Sequence, residues 1–246
     1  MSDFDSVLLI AFGGPEKIED IRPFLEIVTK GRRIPPERIE EVARHYNLIG
    51  GRSPLNELTF RQAEGLRRAL DLDGVFLPVC VGMRNWHPFL HDTLTQMKDK
   101  GQRRTLGIVL SAFQTEASWE RYIRDVAAAR ARVGPGAPEV EYPPAWSGHP
   151  LFIEAMAARV EDALARGDQK NRSSIPLIFT AHSIPQAMAA ASPYVEQFTV
   201  AARAVAERLA HPRWSIAYQS RSGSPRDAWI EPDICDALRA LEGQGL

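Results

Sequence analysis

Val7-Leu8-Leu9-Ile10-Ala11-Phe12, followed at once by Gly13-Gly14-Pro15, is a short apolar run without alternation, closed by residues that turn the chain. Such a run reads as a strand with both faces out of water, the signature of a parallel sheet rather than of a half-exposed antiparallel one. Four more runs share the pattern, at 75–80, 106–110, 175–181 and 215–218. Between them the segments 18–28, 36–48, 59–70, 88–100, 118–132, 150–166 and 193–209 carry apolar residues at spacings of three and four, and several open with proline or an acidic first turn. These spacings predict helices. The order is β then α, repeated, so the fold class is α/β with parallel sheets. Gly134-Pro135-Gly136-Ala137-Pro138 and the following residues to Pro144 are the densest run of chain breakers, and they are expected to mark the passage between two halves, 1–142 and 143–246.

Composition narrows the function. The 246 residues hold 30 Lys and Arg against 31 Asp and Glu, so the basic surplus of a nucleic-acid binder is absent and no nucleic-acid partner is expected. No stretch approaches the roughly 18 to 20 uncharged apolar residues of a spanning helix, and the opening Met1-Ser2-Asp3-Phe4-Asp5 is acidic where a targeting peptide is basic. A cytoplasmic protein is the expectation. Cys80 and Cys235 stand far apart and outside any CxxC, so neither a disulfide framework nor an iron–sulfur cluster is expected. Small-molecule chemistry is the class that remains.

In open parallel sheets ligands sit beyond the carboxyl ends of the strands. The residues found there are Gly13-Gly14-Pro15, Gly82-Met83-Arg84-Asn85-Trp86-His87-Pro88, Ser111 to Glu116, His182-Ser183-Ile184-Pro185 and Gln219-Ser220-Arg221. Gly13-Gly14-Pro15 matches neither GxGxxG nor a Walker loop and reads as a tight turn. His182, directly after a buried strand and before a loop whose exit Pro185 fixes, can take a proton near neutral pH or ligate Fe(II); a hydrogen-bonded structural role is the alternative. His87 and His91 have a spacing that can hold a metal but lack the glutamate of HExxH, and they read as helix-start residues. The aromatics Phe12, Tyr46, Trp86 and Tyr122, with Arg52, Arg84, Arg121 and Arg221, suit a large flat ligand bearing carboxylates.

Several motifs, in order along the chain, carry a resemblance. Ala11-Phe12-Gly13-Gly14-Pro15-Glu16, Ile49-Gly50-Gly51-Arg52-Ser53-Pro54-Leu55-Asn56, Phe179-Thr180-Ala181-His182-Ser183-Ile184-Pro185, Ala217-Tyr218-Gln219-Ser220-Arg221 and Trp229-Ile230-Glu231-Pro232 together resemble the signatures of the ferrochelatase family. The segment Gly82 to Phe89 is similar to that of some bacterial members. The resemblance implies insertion of Fe(II), as substrate metal, into protoporphyrin IX or coproporphyrin III late in haem synthesis. It also implies two similar Rossmann-like, chelatase-like domains of four parallel strands each, with the macrocycle in a cleft. By the resemblance His182 is the catalytic and metal-side residue, and Phe12, Tyr46, Arg52, Ser53 and Tyr122 bind the porphyrin. Phe12 stands where some coproporphyrin-using members carry an iron-ligating Tyr, and Thr29 and Lys30 stand where such members often carry Arg, so the porphyrin type stays open. Members continue past the Tyr-Gln-Ser-Arg strand into a further strand and an Asp-His-x-Glu-type motif. This sequence reaches Leu246 where that strand is due, so the second domain is expected to be incomplete at its C-terminal end. Two rivals stand beside the active enzyme: a catalytically impaired tetrapyrrole-binding remnant, and a chelatase for another tetrapyrrole.

Overall fold

A computed structural model describes residues 3–31, 34–167, 174–222 and 227–243 of the chain. They divide into two compact units: residues 1–111 with 121–143, and residues 112–120 with 144–246. The second boundary falls at Pro143, whereas the short stretch 112–120 groups with the second unit.

The first unit is built on β1 (Ser6–Ala11), which lies in the middle of a four-stranded parallel sheet ordered β2-β1-β3-β4, with β2 at Val79–Met83, β3 at Arg104–Val109 and β4 at Glu139–Glu141. Every residue of β1 is buried. Val7 pairs with Val79 on one side and with Leu106 on the other. Val7, Leu9 and Ala11 pack with Ala63, Val81 and Met83 on one face, while Leu8 and Ile10 alternate onto the other. Parallel neighbours require helical crossovers. They are α1 (Ile21–Thr29), α2 (Pro36–Leu48) and α3 (Leu55–Leu72) before β2, α4 (Leu90–Asp99) before β3, and α5 (Arg121–Val133) before β4, the last preceded by a π-helical turn at Glu116–Glu120. Because β2 and β3 lie on opposite sides of β1, the chain reverses its winding there, and the carboxyl ends of β1 and β3 form a topological switch point.

The second unit holds a two-stranded parallel sheet, β5 (Leu177–His182) beside β6 (Trp214–Gln219), with α6 (Pro150–Leu164), α7 (Gln186–Ala190), α8 (Tyr194–Arg208) and α9 (Ile234–Glu242). Its core gathers Ala181, Ile184, Tyr194, Phe198, Tyr218 and Ile230.

Two sequence expectations need correction. The run 75–80 is not a strand throughout. Pro78 donates no hydrogen bond, the ladder with β1 starts at Val79, and Phe76 is 80% exposed. The breaker-rich stretch after Gly134 contains β4, a short edge strand in which Pro138 and Pro143 flank rather than interrupt the pairing with Arg104–Leu106. The second unit forms two strands among its described residues, at the two apolar runs read from the sequence, 175–181 and 215–218. Residues 227–243 carry no further apolar run of strand length and end in α9. Among the described residues β5 and β6 are each an edge, and both keep exposed positions where complete burial is the expectation.

The two sheets should differ in local stability. In β6 the amides alternate, and those of Trp214, Ile216 and Tyr218 point away from β5. Hydrogen exchange should show the Ile216 amide exchanging at least about tenfold faster than that of Leu8, which lies between two paired strands. Equal protection would show that β6 is covered by a partner on its outer side.

Candidate active site

At the end of β1 the chain turns through Gly13, whose φ of 85° lies in the left-handed region. A Cβ at Gly13 would stand 2.9 Å from the Trp86 backbone nitrogen, and one at Gly14 would stand 2.7 Å from Ser53 Cβ. Both glycines are therefore required by close approach. Asn56, in the first turn of α3 and only 2% exposed, joins this turn to that helix. Its Oδ1 accepts from the Gly14 amide at 2.9 Å, and its Nδ2 donates to the Gly14 carbonyl at 2.9 Å and to Glu16 Oε1 at 3.2 Å. The Ser53 amide donates to the Pro15 carbonyl at 2.8 Å. The first two motifs are thus one rigid piece, and the Gly14 amide is engaged by protein rather than open to an anion.

Beside this piece the aromatic residues converge. Phe24 of α1 meets Phe12, Tyr46 and Trp86 edge-to-face, with ring centroids 6.3, 5.8 and 6.1 Å apart. Arg84, with its side chain largely buried, pairs with Asp125 and lays its guanidinium 4.4 Å from the Tyr122 ring centroid and 5.9 Å from that of Phe12. Burial raises the pKa of Tyr46 and of Tyr122, the latter against the opposing pull of Arg84, so both phenols stay protonated at neutral pH. Phe12 remains 37% exposed. Arg52 is also exposed and is turned to Glu57 at 3.1 Å. Hence Phe12, Tyr46 and Tyr122 share one cluster, Ser53 sits on the adjoining turn, and Arg52 lies at the surface with an acidic partner.

His182 belongs to the second unit. It is the last residue of β5, its imidazole is exposed, and its Nε2 lies 3.3 Å from Ser222 Oγ. The protein packed behind the ring withdraws enough water to hold its pKa below the ordinary 6.5, which favours the neutral base at pH 7. The following loop is clipped to residues 228–230. Ser183 Oγ donates to the Ile230 carbonyl, the Ile230 amide to the Ile184 carbonyl, and the Gln186 amide to the Ala228 carbonyl. Tyr194 Oη donates to the His182 carbonyl at 2.9 Å. Elsewhere His87 and His91 flank the Phe89 ring, and His149 caps α6 by accepting the Leu151 amide. Among the described residues no group of three His, Cys, Asp or Glu is arranged to hold a metal ion.

Sequence comparison decides the family. The family model described as ferrochelatase matches residues 5–246. The chain belongs to the ferrochelatase family. It is 44% identical over 246 residues to the coproporphyrin III ferrochelatase of Mycobacterium avium, covering 99% of this chain and 70% of that protein. It is 43% identical over 250 residues to the coproporphyrin III ferrochelatase of Nocardia farcinica, covering 98% and 71%. To the ferrochelatase of Rhodopirellula baltica it is 41% identical over 239 residues, covering 97% and 68%. The reaction is insertion of iron into a porphyrin, with Fe(II) as substrate.

Two residues that shape this ferrochelatase's site carried no role in the sequence reading. Asn56 lay within a recognised motif, but a buried amide reaching back 42 positions to Gly14 has no local signature. Tyr194, just after Pro193, read as the start of a helix, and only the fold carries its hydroxyl to His182.

Asn56→Ala should strand the buried Gly14 amide and loosen the turn against α3. The expected cost is about 1 to 3 kcal/mol in unfolding free energy, read as a lower denaturant midpoint with an unchanged slope. An unchanged midpoint would show that the turn holds itself.

Proposed function

We propose that this ferrochelatase uses coproporphyrin III as its porphyrin in haem synthesis and that His182 is its catalytic base. The observation that carries the second part is the imidazole itself, exposed at the end of a parallel strand, neutral at working pH and held by a clipped loop. The names of the mycobacterial and nocardial relatives support coproporphyrin III.

A free-base porphyrin carries two pyrrole N–H protons, and Fe(II) replaces both, so the insertion releases two protons and leaves the metallated ring core neutral, with the propionates still charged. A neutral imidazole has a lone pair for one of these protons, and its lowered pKa lets it pass the proton to water and return to the basic form. Deprotonated pyrrole nitrogens then bind the iron. We read Phe12 and Tyr46 as the apolar and edge contacts to the macrocycle, Ser53 as a hydrogen-bonding neighbour, and Tyr122 as the residue that braces Arg84 behind Phe12. Arg52 is the candidate for a propionate, which would replace Glu57 as its partner. The two units, read as the halves 1–142 and 143–246, correspond to a pair of Rossmann-like chelatase domains. We place the reaction in the cytoplasm, where the free thiols of Cys80 and Cys235 are kept reduced.

His182→Ala should lower the rate of Fe(II) insertion by about 10²- to 10⁴-fold while coproporphyrin III binding, followed by fluorescence quenching, changes by less than about threefold. An active His182→Ala protein would reject the base. A wild-type chain that quenches the porphyrin and never metallates it would favour the tetrapyrrole-binding remnant. The rate should also rise with pH as the imidazole loses its proton, with the midpoint of this acidic limb below 6.5. A limb centred above that value would assign the proton to another group.

Arg52→Ala should weaken coproporphyrin III binding by about tenfold, the worth of one charge-assisted contact, and leave the acidic limb in place. Unchanged titrations would place the propionates elsewhere.

A further inference from the structure

Resting on the reading of His182 as base, we infer that Tyr194 is a positioning residue for it, tethering the peptide that aims the imidazole. In β5 the Leu177 amide donates to the Arg213 carbonyl and the Ser183 amide to the Gln219 carbonyl, so the odd-numbered residues of β5 face β6 with their backbone groups. The peptide groups of the intervening residues point the other way. His182 is one of these. Its carbonyl leaves the sheet on the side where β5 has no neighbouring strand, and the Tyr194 hydroxyl takes it at 2.9 Å.

Tyr194 is well placed to hold a fixed position. It opens α8 directly after Pro193, is 7% exposed, and presents its ring edge-on to Phe113 with centroids 6.0 Å apart. Ala181, Ile184, Phe198 and Tyr218 complete its surroundings. The phenol pKa is pushed up to about 12, chiefly by burial, so the hydroxyl remains a donor across the whole working range. The other tethers near the site act on neighbours of His182: β6 on Ala181 and Ser183, and residues 228–230 on Ser183 to Gln186. Tyr194 alone, among the contacts described here, grips the His182 carbonyl. The orientation of that peptide sets the direction of the Cα–Cβ bond, and through it where the imidazole lone pair points.

Tyr194→Phe removes the hydroxyl and keeps the ring against Phe113. In the full chain, with Fe(II) and coproporphyrin III, kcat should fall about tenfold while KM for the porphyrin stays within about twofold, because a misaimed base costs turnover rather than binding. In a His182→Ala background the same substitution should cause no further loss, since there is no base left to aim. Wild-type kcat in Tyr194→Phe, or an equal loss in both backgrounds, would overturn the inference. Full turnover by His182→Ala alone would instead overturn the reading on which it rests.

Discussion

The backbone of β1 is hydrogen-bonded along both edges, to β2 and to β3, and buried on both faces, and the first unit is organised by that fourfold enclosure. A strand so enclosed has no place for polar chemistry along its length and must deliver it where the ladder stops. The ladder stops at Ala11, yet the loops that leave β1 and β2 go on holding each other. The Arg84 amide donates to the Ala11 carbonyl, and the Asn85 amide and side chain both donate to that of Phe12. Gly13 then takes the left-handed conformation that lets Trp86 approach, and Asn56 locks the next turn from the far side. The aromatic cluster on Phe24 and the Arg84–Tyr122 stack are built on this extension of the sheet.

The second unit meets the same need with less sheet. With two strands among its described residues, it closes the exposed edges with side chains and isolated backbone contacts. The Tyr218 amide donates to the Pro232 carbonyl on the outer side of β6, and Tyr194 caps the His182 carbonyl on the outer side of β5. Arg221 lies 3.6 Å from Glu231 and 3.8 Å from Asp233, exposed pairs that contribute little stability but hold the segment after Trp229 near the end of β6. Removing one tether from such an edge shifts a few residues rather than unravelling a ladder.

What was legible in the sequence follows from which forces are local. The boundaries of α2 at Pro36–Leu48 agree with the periodic pattern because proline starts it and glycines end it, all within the segment itself. The strand ends were less legible because pairing, not hydrophobicity, defines them: Val75, Phe76 and Leu77 are apolar, but they precede Pro78 and lie outside the ladder. β4 was hidden because a three-residue edge strand, Glu139-Val140-Glu141, has one half-buried residue and no apolar run to announce it. Among the site residues, His182 was visible by its place after a strand. Its partner Tyr194 was not, since that hydroxyl reaches it only through the fold. Arg84 was noted as a cation beside aromatics, and its burial against Tyr122 and Asp125 required the packing of α5.

The two units also divide the chemistry by how their environments treat a proton. Burial raises the pKa of Tyr46 and Tyr122 in the first unit and of Tyr194 and Tyr218 in the second, so each phenol is a donor or an apolar wall and none is a base near neutral pH. The same physical cause acts on His182 with the opposite sign, because its charged form is the protonated one. Desolvation therefore separates the candidate residues by role: it withdraws the tyrosines from proton transfer and leaves the imidazole unprotonated and ready to accept.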